Sequence, residues 1–150
     1  IPADGIYEYE GRGFYWDKAS RGHVRIQDML PFKAARWNQD VQLLWEGSQQ
    51  GDTLELGFAI PRPGRYRIQI VYTKAVDYGT FQSYIDGRKV GNALDLFHQG
   101  PVIRTDPEDY GTIDLAQGQH VLKFENTGKN PESQGNYFGF DYMKLQAVSK

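Results

Sequence analysis

The sequence predicts an all-β fold, and three observations support this class. Aromatic residues make up 14% of the 150 residues, and their side chains suit the pleated surface of a strand. Glycine (17) and proline (7) provide 24 turn-forming residues, as many short strands joined by tight turns require. Several segments alternate apolar and polar residues, and none has the length and capping of a helix.

Length, charge and cysteine content exclude several classes of protein. A chain of this length can bury a core as one domain, residues 1–150, without disulfides. The net charge of -2 excludes a nucleic-acid binder that works through a broad basic field. The absence of cysteine excludes thiol catalysis, and no apolar stretch approaches the roughly 20 residues of a membrane span. Because the chain begins with Ile1 and no leader follows, we expect an excised domain or a processed mature chain.

The first half of the chain predicts four strands. Residues 6–10 alternate aromatic and acidic side chains and can lie beside the last strand. Residues 24–27 and 41–45 are short strands within an otherwise irregular region. The clearest strand is Thr53–Ile60, in which leucine, phenylalanine and isoleucine occupy every second position.

The second half of the chain begins with a strand that is predicted to run back alongside Thr53–Ile60. Two prolines and a glycine at 61–64 force a turn, and residues 65–72 alternate again, which predicts an antiparallel hairpin. The dipeptide Asp86-Gly87 predicts a second hairpin. The remaining predicted strands are residues 80–85, 89–96, 112–115, 120–125 and 137–145.

These connections predict that one end of the domain is functional. If each strand runs antiparallel to the one before it, the tight turns at 61–64, 86–88 and 116–119 share one end. The longer segments 46–52, 73–79, 97–111 and 126–136 then share the other. Long loops on a rigid scaffold commonly form binding sites, so we expect the site among them.

The long segments carry aromatic rings beside amides, carboxylates and an arginine. This combination suits a sugar, whose C–H face packs on a ring while its hydroxyls bind planar polar groups. Trp45 ends an apolar run and can equally be buried, Trp37 is a candidate second stacking ring, and Trp16 is expected to be structural. The other candidates are Asp77, Tyr78, Arg104, Tyr110, Asn130, Asn136 and Tyr137.

Three carboxylates suggest a metal site. If the first and last strands pair, Glu8 and Glu10 can converge with Asp141, and calcium is the natural partner of clustered carboxylates. The alternative is that Glu8 and Glu10 form the solvated face of their strand.

Four parts of the sequence carry recognisable motifs: Tyr7-Glu8-Tyr9-Glu10, residues 51–56 with 60–66, residues 116–122 and residues 138–142. These motifs resemble the jelly-roll carbohydrate-binding modules of families 6 and 35. Residues 76–79, 84–87 and 128–131 look like an accessory β-sandwich domain of bacterial secreted glycan-degrading proteins.

This resemblance implies a jelly roll of two antiparallel sheets, with structural calcium near Glu8, Glu10 and Asp141. It implies a sugar site in which two aromatic rings sandwich a pyranose, by position Trp45 and Tyr110. Tyr78 and Tyr137 then flank the sugar, and Asp77, Arg104, Asn130 and Asn136 bind its hydroxyls. The family's sugar-binding asparagine corresponds to Gly139 here, so Asn130 or Asn136 has to substitute for it.

The leading hypothesis is therefore a non-catalytic module, secreted, periplasmic or on a bacterial cell surface, that targets a larger multidomain enzyme or surface assembly to a polysaccharide. One alternative is a small glycoside hydrolase or lyase, because such enzymes use paired carboxyl groups. Another is a protein-interaction or adhesion domain, which an exposed apolar patch on a sheet face would indicate. No glycine-rich phosphate loop supports nucleotide binding. If the chain is a glycoside hydrolase or lyase, its candidate catalytic acids are Asp77, Asp106, Glu108 and Asp109.

Overall fold

A computed structural model describes residues 5–148, which form two antiparallel β-sheets packed face to face. Ile1, which led us to expect an excised domain or a processed mature chain, lies outside these residues. Single-turn 3-10 helices occupy Gly11–Gly13 and Asn38–Asp40. The strands are β1 (Ile6–Glu10), β2 (Trp16–Ala19), β3 (His23–Asp28), β4 (Val41–Glu46), β5 (Thr53–Ile60), β6 (Gly64–Lys74), β7 (Thr80–Ile85), β8 (Arg88–Asp95), β9 (Ile103–Arg104), β10 (Glu108–Leu115), β11 (Gly118–Gly128) and β12 (Phe138–Val148).

The larger sheet has seven strands in the order β10-β6-β12-β4-β3, with β1 paired to β12 and β9 paired to β6. The smaller sheet has the order β2-β5-β11-β7-β8. The predicted two-sheet antiparallel β-sandwich is therefore confirmed. Within residues 5–148, no helix has the length and apolar character needed to cross a membrane.

The hairpin predicted around residues 61–64 is wrong. β5 pairs with β2 and β11, whereas β6 pairs with β10 and β12, so this turn carries the chain from one sheet to the other. The apolar faces of β5 and β6 meet across the core instead of lying side by side. By contrast, the hairpin at Asp86-Gly87 is confirmed, because both residues adopt the positive φ of a tight hairpin turn and Ile85 pairs with Arg88.

β1 pairs with the second half of β12, as the sequence suggested, with Glu8 opposite Lys144 and Glu10 opposite Tyr142. The sequence does not predict β2 or β9. Residues 108–111, expected to lie in a loop, belong to β10.

The core between the sheets is aromatic. The ring centroid of Phe138 lies 4.5 Å from that of Phe124 and 4.8 Å from that of Phe81. Trp45 packs against Phe81 and Phe138 and has no exposed surface. Trp16 lies outside this core: it is 42% exposed, and its indole covers Gly57 on the opposing strand.

Backbone hydrogen bonds hold the longer connections together at one end of the sandwich. Gly51 N donates to Asn126 O (2.7 Å), Gln134 N to Val76 O (2.9 Å), and His98 N to Ala75 O (3.0 Å). At the other end His120 links two tight turns, since its Nδ1 lies 2.6 Å from Asp86 Oδ2 and its Nε2 lies 2.7 Å from Ala116 O. The predicted separation of long and tight connections is therefore observed, except that β9 and β10 occupy much of 97–111.

Candidate ligand-binding cleft

A cleft of about 210 Å³, called the main cleft below, opens on the outer face of the seven-stranded sheet. Alternation along β3 creates its floor: Val24 and Ile26 pack on the core, whereas Arg25 and Gln27 point outward. The same alternation on β4 sends Trp45 inward and places Glu46 at the cleft. The floor therefore belongs to rigid strands.

Loops supply the walls of the main cleft. Phe32 comes from the segment between β3 and β4, and Val102 from the segment before β9. Asp77 and Tyr78 come from the connection between β6 and β7, and Tyr137 directly precedes β12. The last two segments are joined, because Tyr137 N donates to Asp77 O (3.0 Å) and Gly79 N donates to Tyr137 O (3.0 Å).

Two tyrosine rings form one side of the main cleft. The centroids of Tyr78 and Tyr137 are 6.1 Å apart, with an angle of 51° between the planes. Tyr78 is buried, and burial raises the pKa of its hydroxyl, so the group stays protonated at neutral pH. Tyr137 is half-buried and lines the cleft.

The charged groups of the main cleft are mostly acidic. Glu46 Oε1 accepts a hydrogen bond from Arg25 Nε at 3.2 Å and lies 3.6 Å from His23 Nδ1. Asp77 adds a second, half-buried carboxylate. The lining thus carries one guanidinium, already ion-paired, against two carboxylates, which favours a neutral ligand over an anionic one.

A shallower, more open and larger depression of about 620 Å³ continues the main cleft past Tyr137 and Glu46, which line both. Asn136 borders it, and its Oδ1 accepts from Nδ2 of the buried Asn126 at 3.3 Å. Tyr137 therefore stands between two adjoining recesses, where an extended ligand can contact both.

A buried chain of polar side chains lies behind the floor. Trp37 Nε1 donates to Thr73 Oγ1 at 2.9 Å, and Thr73 Oγ1 donates to Gln42 Oε1. Gln42 Nε2 then donates to Gln27 Oε1 (2.8 Å) and to the Tyr78 hydroxyl (3.0 Å). The network thus reaches two residues that line the main cleft.

Gly139 makes room for this network. A Cβ at this position would collide with Gln42 Oε1 and lie 2.9 Å from Thr73 Cβ. The glycine found where the resemblance leads one to expect a sugar-binding asparagine thus has a packing reason, because the amide of Gln42 occupies the space.

The structure brings four of the predicted sugar-binding residues to these recesses. Asp77 and Tyr78 line the main cleft, Asn136 lines the shallower one, and Tyr137 lines both. Their role in sugar binding stays a prediction.

The two predicted tryptophan rings are not available to a sugar. Trp45 has no exposed surface, and its Nε1 donates to Arg21 O at 2.8 Å inside the core. Trp37 is 4% exposed and held by Thr73. The stacking roles predicted for both are therefore wrong, because neither ring has a free face.

Three further predicted residues lie away from the main cleft. Tyr110 belongs to β10, at the edge of the sheet opposite β3; its hydroxyl lies 2.6 Å from that of Tyr72 and its ring covers Gly91. Arg104 binds Asp141, and Asn130 Nδ2 donates to Asp95 Oδ2 at 2.9 Å. The structure therefore does not support a sandwich of one sugar between Trp45 and Tyr110.

Sequence reasoning missed Arg25, Gln27, Phe32 and Glu46 as a group. The alternation of residues 23–28 assigns Arg25 and Gln27 to one face, but only the pairing of β3 with β4 shows that this face meets the loops. Phe32 lies in an irregular segment and carries no sequence signal for its position.

The three carboxylates predicted to bind calcium do approach one another. The pKa of Glu10 is raised, mainly by burial and then by the charges of Asp141 and Glu8. However, Asp141 Oδ2 already accepts from Arg104 Nη1 at 2.8 Å, and its Oδ1 accepts from Asn38 N at 3.1 Å. Residues 5–148 contain no group of three acidic or histidine side chains arranged to hold a metal. A guanidinium thus balances the buried charge, and the donor set does not fit calcium at Asp141.

Calorimetry decides between the calcium site that the sequence suggested and the ion pair seen in the structure. From the geometry we expect the same melting temperature in about 1 mM calcium chloride and in EDTA. An ion at 100 times its Kd would add about 2.7 kcal/mol to the folded state, which raises the melting temperature by several degrees in a chain of this size. A rise that Glu8→Gln abolishes would establish the carboxylates as ligands after all.

No family model matches the sequence, and no curated protein matches it significantly. Solved structures do resemble it. A part of the Paenibacillus xanthan lyase superposes on 98% of this chain with a TM-score of 0.77 at 19% identity. The Podospora anserina GH26-CBM35 β-(1,4)-mannanase matches 98% of the chain with a TM-score of 0.62 at 15% identity. The chain spans 14% and 28% of the lengths of these two proteins.

A smaller protein matches over nearly its full length. A family 35 carbohydrate-binding module from Clostridium thermocellum has a TM-score of 0.56 at 13% identity, with 95% of this chain and 98% of the module covered. At such identities the likeness concerns the fold. The chain therefore shares the β-sandwich fold of family 35 modules, as the sequence motifs suggested.

Proposed function

We propose that the chain is a non-catalytic carbohydrate-binding domain that holds a neutral glycan in the main cleft. The observation that carries this proposal is the position of Tyr137, a half-buried ring between two adjoining recesses. Carboxylate, guanidinium and amide groups surround it at Asp77, Glu46, Arg25 and Gln27. A ring bordered by planar polar groups suits a pyranose, which offers a C–H face and vicinal hydroxyls. The fold shared with a carbohydrate-binding module supports the same function.

Binding is tested by isothermal titration calorimetry with three neutral oligosaccharides, mannohexaose, β-1,3-galactotriose and laminarihexaose, and with xanthan as an acidic polysaccharide for comparison. We expect at least one neutral oligosaccharide to bind with a Kd on the order of 10 μM to 1 mM, because a small open site buries little area. Tyr137→Ala should weaken that binding about tenfold or more, since it removes the stacking ring.

Tyr15→Ala is the matched control for this test. Tyr15 is 70% exposed and does not line either recess, so its removal should leave the affinity unchanged. Absence of binding to every oligosaccharide of this panel, or equal affinities of Tyr137→Ala and the parent, would refute the proposal.

Absence of catalysis is part of the proposal. Glycoside hydrolysis generally uses two carboxyl groups at the scissile bond. Of the four acids considered, Asp77 lines the main cleft, Asp106 lies between β9 and β10, and Glu108 and Asp109 lie in β10 at the far sheet edge. The other carboxylate of the main cleft, Glu46, is ion-paired with Arg25. Asp109 is ion-paired with Arg67, which contributes most to lowering its pKa. Turnover of a panel oligosaccharide that Asp77→Asn abolishes would overturn this part.

We also propose that the domain belongs to a larger secreted or cell-surface bacterial protein and directs it to a polysaccharide. The small fraction of the lyase and of the mannanase that the chain spans supports this context. A protein-interaction role has weaker support. The large apolar side chains exposed in the described part of the chain are Tyr15, Trp16 and Leu30, and of these only Trp16 belongs to a strand.

A further inference from the structure

We propose that the buried Trp37 fixes the direction of the hydrogen bonds in the floor of the main cleft, so that Gln27 and Tyr78 both present donors to the ligand. The inference rests on the proposed function and specifies the chemical group that the floor recognises. That group is an oxygen with free lone pairs, such as a ring, bridging, hydroxyl or acyl oxygen of a neutral glycan.

The direction is set at Trp37, because an indole N–H can donate but never accept. Trp37 is 4% exposed, and its Nε1 has Thr73 Oγ1 as its partner at 2.9 Å. Thr73 is fully buried, so its hydroxyl proton goes to the acceptor beside it, Gln42 Oε1. The amide oxygen of Gln42 is thereby turned toward Thr73.

The amide nitrogen of Gln42 must then face the cleft side. Its two protons go to Gln27 Oε1 at 2.8 Å and to the Tyr78 hydroxyl oxygen at 3.0 Å. The oxygen of Gln27 is thus occupied, which leaves its NH₂ group as the part available to a ligand. Tyr78 accepts from Gln42, which leaves its own proton free to donate, and both residues line the main cleft.

The reverse orientation is disfavoured. If the amide of Gln42 were flipped, its nitrogen would face Thr73 Oγ1, which already accepts from Trp37 Nε1, and the hydroxyl proton of Thr73 would lose its acceptor. A lost buried hydrogen bond of this kind costs about 1–3 kcal/mol. Gln42 is 1% exposed, so water does not relieve this loss.

The donors of the floor complement the acceptors of the rim. Glu46 and Asp77 are carboxylates, which accept hydrogen bonds from sugar hydroxyls, while Gln27 and Tyr78 donate to a sugar oxygen. A neutral pyranose provides both kinds of group side by side. Trp37 does not line the main cleft and acts through Thr73 and Gln42, so it is a positioning residue.

The direction of the network can be tested without any ligand by NMR. We expect stronger nuclear Overhauser contacts from the Gln42 side-chain NH₂ protons to the ring of Tyr78 than to the methyl group of Thr73. Contacts to Thr73 in place of Tyr78 would show the reversed orientation and overturn the proposal. This result does not depend on whether a glycan binds, so it separates failure of the network from failure of the proposed function.

The consequence for binding is tested by calorimetry with the same four glycans. Trp37→Phe removes the anchoring donor, and we expect the affinity for the bound oligosaccharide to fall about fivefold to tenfold. Trp45→Phe is the matched control, since it also deletes one buried indole hydrogen bond, from Trp45 to Arg21, but this bond does not involve a residue that lines the main cleft. Its affinity should equal that of the parent.

Gln27→Glu keeps the proposal falsifiable if Trp37→Phe does not fold. The carboxylate that this substitution introduces can still accept from Gln42, but it offers the ligand an oxygen in place of the NH₂ group. We expect a loss of about tenfold or more in affinity at unchanged melting temperature. Equal affinities of Gln27→Glu and the parent, or equal losses in Trp37→Phe and Trp45→Phe, would refute the inference.

Discussion

Replacement of Arg104 by methionine is expected to lower the free energy of unfolding at about pH 7 by roughly 3–5 kcal/mol. The side chain of Asp141 is completely buried, and Arg104 Nη1 contacts its Oδ2 at 2.8 Å. Asn38 N donates to the other oxygen and cannot balance the charge alone. Removal of the guanidinium leaves a buried carboxylate without a counter-charge, which the folded state tolerates poorly. Urea unfolding of the parent and the variant measures the loss.

The loss should depend on pH in a defined direction. Burial raises the pKa of Asp141 above its ordinary value, while Arg104 opposes that shift. In Arg104→Met the pKa of Asp141 should rise further, so the folded state binds a proton more readily than the unfolded state does. The ionised carboxylate therefore costs most above this raised pKa, and the cost disappears as the pH falls through it. We expect a smaller deficit at about pH 4 than at about pH 7.

Two variants control this experiment. Arg65→Met breaks an ion pair with Asp114 in which both side chains are largely exposed, and should cost less than about 1 kcal/mol. Addition of Asp141→Asn to Arg104→Met should restore part of the stability, because the buried charge is gone. A deficit that is independent of pH, or no larger than that of Arg65→Met, would show that the buried pair lacks this role.

Replacement of Trp45 by alanine is expected to lower the free energy of unfolding by about 3–5 kcal/mol. The indole is wholly buried, its centroid lies 5.9 Å from that of Phe81 and 6.4 Å from that of Phe138, and it satisfies the carbonyl of Arg21. The variant loses both the packing and this hydrogen bond. Urea unfolding gives the stability, and calorimetry under folding conditions gives the affinity for the panel glycan, which should be unchanged.

Trp16→Ala is the comparison for Trp45→Ala. Its ring has the same size but is 42% exposed, so its removal should cost markedly less. Loss of glycan binding in Trp45→Ala without loss of stability would instead restore the stacking role that the sequence suggested for Trp45.

The sequence predicted the strands well because burial of one face imposes a period of two residues. It located β5 and β7 with their observed bounds, since their apolar positions are regular and their ends are marked by proline, glycine or aspartate. It mistook the relation of β5 to β6, because alternation is the same for strands that pair side by side and for strands that face each other across a core. The loop length does not distinguish the two cases either.

The candidate site was less predictable than the fold. A tryptophan is as suitable for a core as for a sugar platform, so Trp45 and Tyr137 cannot be ranked before the sheet pairing is known. Gln27 and Gln42 lie in different strands and meet only through the register of β3 with β4, in which they stand opposite each other. Such long-range pairing leaves no mark in the local sequence.

The pairing of β1 with β12 also decides how the domain can be attached to a neighbour. Ile6 lies opposite Gln146, and Val148 lies opposite Arg65, beside the turn that follows β5. Both ends of the described chain therefore leave the sandwich at the pole opposite Tyr137. A tether that follows either of these ends would attach away from the cleft, so protein immobilised through an N-terminal or a C-terminal tag should capture glycan equally well.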